Sequence, residues 1–82
     1  MTDLERRVWT HLLSGHPGTA AEIAEALGED RYDVAAVAAV ARAHRIARFD
    51  VNEGLKTGRK VYVAMPGAAL AFRLGLAARE QE

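Results

Sequence analysis

Three histidines, His11, His16 and His44, are the residues best suited to hold a metal. No two have ligand spacing on one helix, and no Asp or Glu is placed with them, so a metal site is not expected. The run Gly54 to Lys60 holds two glycines and two lysines. It lacks the Gly-x-x-x-x-Gly-Lys-Ser/Thr order and joins two expected strands, so it is not a phosphate-binding loop. There is no Cys nucleophile, no Ser-His-Asp set in a Gly-rich turn and no pair of carboxylates at a plausible cleft. These residues predict neither an enzyme nor a cofactor, and no small-molecule ligand is evident. What is left is basic charge. The chain is neutral overall, but residues 1–30 carry a balance of −4 and residues 31–82 a balance of +4. That asymmetry suits a surface facing a polyanion.

The 82 residues predict a single domain, 1–82, with a small core. No disulfide or Cys-ligated zinc can support it, because the chain has no Cys. The polar start, Met1 to Arg7, leads into no apolar signal core, and no stretch approaches the roughly 20 apolar residues of a membrane span. A cytoplasmic protein is the expectation.

Several short signals order the elements. Thr2-Asp3-Leu4-Glu5 has the form of a capping box, and Leu4, Val8, Leu12 and Leu13 follow at helical spacing. Ser14 to Gly18 stops that helix. Thr19-Ala20-Ala21-Glu22 is a second capping box, and Gly28 closes the helix it opens. Asp30 is a good N-cap for a third helix, with Val34, Val37 and Ala41 on its apolar stripe. The period then changes from 3.6 to 2. Ala47, Phe49 and Val51 alternate with Arg48, Asp50 and Asn52. After the loop Glu53 to Gly58, Val61, Val63 and Met65 alternate with Tyr62 and Ala64. Two alternating runs around a Gly-containing loop predict a β-hairpin. Pro66-Gly67 ends it, and a final helix is expected over about residues 67–80.

The expected fold class is therefore α+β and mainly helical: three helices, a hairpin and a C-terminal helix. Within it, Ile23, Ala24, Leu27, Gly28, Val34 and Val37 form a spaced set. Ala24 allows two helices to cross closely, and Gly28 tolerates a positive φ in the short turn. With the hairpin following, roughly residues 2–65 resemble the winged helix-turn-helix family, the MarR-like and related bacterial and phage repressors in particular. The helix-turn-helix would cover about residues 19–45 and the wing about residues 46–65.

The resemblance implies double-stranded DNA as partner and regulation of transcription by operator occupancy. Its third helix would lie in the major groove, presenting Arg31, Tyr32, Ala35, Ala36, Ala39 and Arg42. Arg45, Arg48 and the wing residues Lys56, Thr57, Arg59 and Lys60 would contact the backbone. The groove face departs from the family pattern: it is mostly Ala, without Asn, Gln, Ser or Thr to pair with base edges. A protein-interaction module using Ala35, Ala36, Ala38, Ala39 and Ala43 as a smooth surface is the alternative. Trp9 is expected to pack in the core or an interface, and Tyr62 to lie on the sheet surface or against a phosphate. Leu4, Val8, Leu70, Phe72, Leu74 and Leu76 exceed what so small a core needs, which predicts a homodimer through the terminal helices.

Overall fold

The computed structural model describes the backbone of residues 1–80 and the side chains of residues 1–75. Helix α1 (Asp3–Leu13) starts where the Thr2 hydroxyl accepts the Glu5 amide proton at 3.1 Å. Strand β1 (Gly18–Thr19) leads directly into α2 (Ala20–Leu27), whose capping box is complete. The Thr19 hydroxyl accepts from the Glu22 amide, and the Glu22 carboxylate accepts from the Thr19 amide. Gly28 ends α2 at φ 68°, a left-handed conformation that costs glycine little. Two residues later, Asp30 Oδ1 takes the amide protons of Tyr32 and Asp33 and opens α3 (Arg31–Ala43).

After α3 come β2 (Ala47–Phe49), α4 (Val51–Thr57), β3 (Val61–Ala64) and α5 (Pro66–Glu80). The chain is thus α+β and mostly helical, with five helices and a three-stranded antiparallel sheet among the described residues. The sheet order is β1-β3-β2. Thr19 faces Val61 on one side of β3, and Phe49 faces Tyr62 on the other.

Two elements differ from the sequence-based expectation. Residues 14–18 do stop α1, but Gly18 and Thr19 then join the sheet edge. The expected loop over residues 53–58 is mostly helix α4. Its cap was written in the sequence: Asp50 accepts the Glu53 amide proton at 3.1 Å, and Gly58 closes the helix at φ 68°. The expected alternation therefore stops at Phe49.

The core gathers around α3. Val34, Ala38 and Ala41 lie on one stripe and are completely buried. Val8 and Leu12 from α1, Ile23 and Ala24 from α2, and Ala47 and Tyr62 from the sheet close over them. Three expectations are corrected here. Val8 is at the centre of this core, not on a dimer interface, because the Leu4-Val8-Leu12 stripe faces inward. Ala38 is buried and leaves the smooth alanine surface. Tyr62 belongs to the core, its ring centroid 5.2 Å from that of Phe49. Leu4 is partly buried and Phe72 half-buried, whereas Leu70 and Leu74 are exposed; the Leu76 side chain is outside the described residues. Trp9 packs against the core, as expected, and its Nε1 is buried without a hydrogen-bond partner among the described residues. No helix among the described residues is long and apolar enough to cross a membrane.

Because Ala38 is completely buried among core side chains, Ala38→Leu should overpack the core and lower stability by about 1–3 kcal/mol. Urea unfolding of the two proteins checks this; an unchanged midpoint would place Ala38 at a yielding surface.

Candidate nucleic-acid interface

The face of α3 opposite Val34, Ala38 and Ala41 is turned to solvent. It carries Tyr32, Ala36 and Ala39 in exposed positions, with exposed Arg31 and Arg42 and half-buried Ala35 toward its edge. All six expected groove residues thus share one side of one helix. At its start, Arg31 Nη2 donates to the Tyr32 hydroxyl at 2.9 Å, and the guanidinium carbon lies 4.9 Å from the ring centroid. At its end, the Arg42 guanidinium lies over the Phe49 ring, 3.6 Å from the centroid. The Lys60 ammonium approaches the same ring at 5.9 Å. Phe49 is held in turn by Tyr62 across the sheet. A half-buried aromatic from β2 therefore brings a helix cation and a hairpin cation together. Arg48, next to it, donates to the Phe49 carbonyl at 3.4 Å. Phe49 itself was read only as a strand residue, although an aromatic between Arg48 and the later Lys60 was the available signal.

Arg45 sits at the corner between α3 and β2 with φ 58°. Its amide donates to the Arg42 carbonyl and the Ile46 amide to the Ala41 carbonyl, which closes α3 in a Schellman motif. The end of α2 makes the same pair of bonds around Gly28. One corner uses glycine and the other an arginine, which bears the Cβ strain of the left-handed region.

The expected wing residues divide into two groups. Lys60 points toward Phe49. Lys56 instead pairs with Glu53 at 3.5 Å, both exposed. Thr57 Oγ1 donates to the Glu53 carbonyl and accepts from the Arg59 amide. Arg59 lines a cavity of about 300 Å³ together with Glu22, Asp50 and Glu53. Hydrogen bonds from the Thr19 amide and then its hydroxyl hold the Glu22 carboxyl below its ordinary value, and the Arg59 charge adds to this. The positive charges of Lys56 and Arg59 are partly offset; those of Arg42, Arg48 and Lys60 have no carboxylate within salt-bridge distance among the described residues.

A further tether fixes the helix pair from behind. Arg7 of α1 pairs with Glu29, and its Nη2 donates to the Leu27 carbonyl at 2.6 Å, capping the end of α2. The histidines are elsewhere. His11 and His16 stack with centroids 4.9 Å apart, and His44 lies 6.0 Å from Trp9. Among the described residues no three or more His, Cys, Asp or Glu side chains converge on a metal position.

No protein-family model matches the chain, and no curated protein or solved structure matches it.

Two outcomes follow from the local chemistry. Arg45→Gly should raise stability by about 0.5–1 kcal/mol, the left-handed strain relieved less the extra backbone entropy lost. A lower urea midpoint would mean that the Arg45 side chain contributes more than its backbone costs. Burial first, then the His16 charge, pushes the His11 pKa below the ordinary value. The unfolded chain then takes up the proton more readily, so stability is full above the ordinary histidine range and declines as pH falls through it. The urea midpoint should drop between about pH 8 and about pH 5.5, and His11→Asn should flatten the drop.

Proposed function

We propose that this chain is a winged helix-turn-helix module that binds double-stranded DNA and regulates transcription by occupying an operator in the bacterial or phage cytoplasm. The observation that carries the reading is the shared ring of Phe49, over which α3 and the hairpin each place a cation. A helix and a wing that present charge on one continuous face suit a groove and the phosphates beside it. The order of three helices, the left-handed turn at Gly28 and the three-stranded sheet with the hairpin at its edge are compatible with this layout.

In this reading α3 enters the major groove. Arg31 and Tyr32 reach base edges from its first turn. Ala35, Ala36 and Ala39 let the helix backbone approach closely but discriminate little. Arg42, Arg45, Arg48 and Lys60 supply the phosphate contacts, while Lys56, Thr57 and Arg59 contribute less because their partners lie within the hairpin. Two copies would dock through α5, where Leu70 and Leu74 are exposed one turn apart. Their third helices would then read a palindrome with half-sites about 34 Å apart.

Fluorescence anisotropy of a mixed-sequence duplex tests the reading. With four phosphate contacts, affinity should fall roughly a hundredfold from about 50 to about 200 mM salt. Arg42→Ala with Lys60→Ala should lower the salt slope by about two units, and Lys56→Ala should change it less. Absence of binding at the lower salt would sink the DNA reading and favour a protein-binding role.

A further inference from the structure

The arginines of this chain differ in what holds them. Arg6 donates to the Asp3 carboxylate, Arg7 to the Leu27 carbonyl, Arg31 to the Tyr32 hydroxyl and Arg48 to the Phe49 carbonyl. Arg42 is held by a ring instead. Its guanidinium carbon lies 3.6 Å from the Phe49 centroid, and its N–H groups have no acceptor among the described residues. That separation is van der Waals contact between two flat groups; an N–H aimed into the ring would hold the carbon farther off. The donor edge of the guanidinium is therefore left free. The platform beneath it is fixed as well. Phe49 faces Tyr62 across the β2–β3 ladder, and Tyr62 is buried in the core. Lys60 approaches the same ring at 5.9 Å, and neither cation has a carboxylate within salt-bridge distance among the described residues. Arg42 is thus ordered by an apolar neighbour, with its hydrogen bonds unspent and a second positive charge close by.

Resting on the DNA-binding reading above, we infer that Phe49 is a positioning residue whose ring makes Arg42 a preset fork for one backbone phosphate. Two N–H groups along one edge of the guanidinium donate to two oxygens of the same phosphodiester. A planar arginine allows this bidentate geometry and a lysine does not. A long cationic side chain gives up rotamer freedom when it binds. Arg42 has given up part of that freedom on folding, so less is lost when the contact forms. Lys60 adds charge at the same place, and the repulsion between the two cations is relieved when an anion arrives. The number of cations then sets the salt dependence of binding, while the ring sets how much the Arg42 contact adds to affinity.

The experiment uses the full chain and the mixed-sequence duplex, with anisotropy read at about 50 and about 200 mM salt. Phe49→Leu is expected to weaken binding about three- to fivefold at the lower salt, the loss of one exposed cation–π contact. Its salt slope is expected to stay the same, because every charge remains. In an Arg42→Ala background the same substitution is expected to cost nothing further, since the group it positions is gone. Phe49→Tyr keeps the ring and is expected to bind as the wild type does. Arg42→Lys keeps the charge, loses the fork and is expected to behave like Phe49→Leu. Urea unfolding checks that each variant is folded. If Phe49→Leu is not, Arg42→Lys decides alone, because Arg42 is exposed and its exchange leaves the core intact. Undiminished binding by Phe49→Leu, or a loss of equal size with and without Arg42, overturns the positioning role. So does full binding by Arg42→Lys, which would show that charge alone suffices. Each of these leaves the DNA reading standing, whereas no binding by the wild type at the lower salt overturns both.

Discussion

The whole arrangement depends on how thin α3 is on its inner side. Val34, Ala38 and Ala41 are its contribution to the core, and two of the three are alanine. Small side chains let the axes of α1 and α2 approach α3, and larger residues from the neighbours, Leu12 and Ile23 above all, fill the space between them. Stabilisation comes from the partners' side chains burying themselves on α3 rather than the reverse. The opposite face of the same helix is alanine-rich as well, but open to solvent. One helix can therefore sit deep in a small core and still offer a smooth outer surface along its length.

The hairpin is positioned by the same helix through its end. The Ala41 carbonyl, released at the close of α3, accepts the Ile46 amide proton, and β2 begins one residue later. The left-handed Arg45 turns the chain so that Phe49 arrives beneath Arg42. The aromatic ring thus converts a backbone corner into an electrostatic arrangement: where α3 stops decides where the cation lies. Arg7 makes the corresponding connection at the other turn, joining α1 to the junction of α2 and α3.

Legibility in the sequence followed the range of the interaction. Thr2, Thr19, Asp30 and Gly28 act within three or four residues, and each of them does in the structure what its type and position imply. The Asp50-Val51-Asn52-Glu53 cap is just as local, yet the alternation of Ala47, Phe49 and Val51 obscured it, since a strand period and a helix cap were competing for the same residues. Strand β1 is two residues long and exists only because β3 lies beside it, so no local pattern could report it. Tyr62 was expected on the sheet surface and lies in the core instead, because the pleat separates faces without saying which one the helices cover. At the candidate site, which cations line α3 was readable from the helical period. Which ones are partnered was not: Lys56 meets Glu53 because residues 51–57 are helical, Arg59 lines a cavity with Glu22 and Asp50 through the fold of the hairpin, and Arg42 meets Phe49 across a turn.

The capping box at Thr19 has a second effect, on the rim of the sheet. An unpaired strand edge is a template for another chain, and β1 forms one such edge. It is only two residues long, it follows Pro17, which has no amide proton, and the amide of Thr19 is already taken by the Glu22 carboxylate. The other edge, β2, has three residues and gives way to a helix at once. A neighbouring molecule finds almost no row of free backbone groups to extend, so runaway strand-by-strand stacking is discouraged by the same bond that starts a helix.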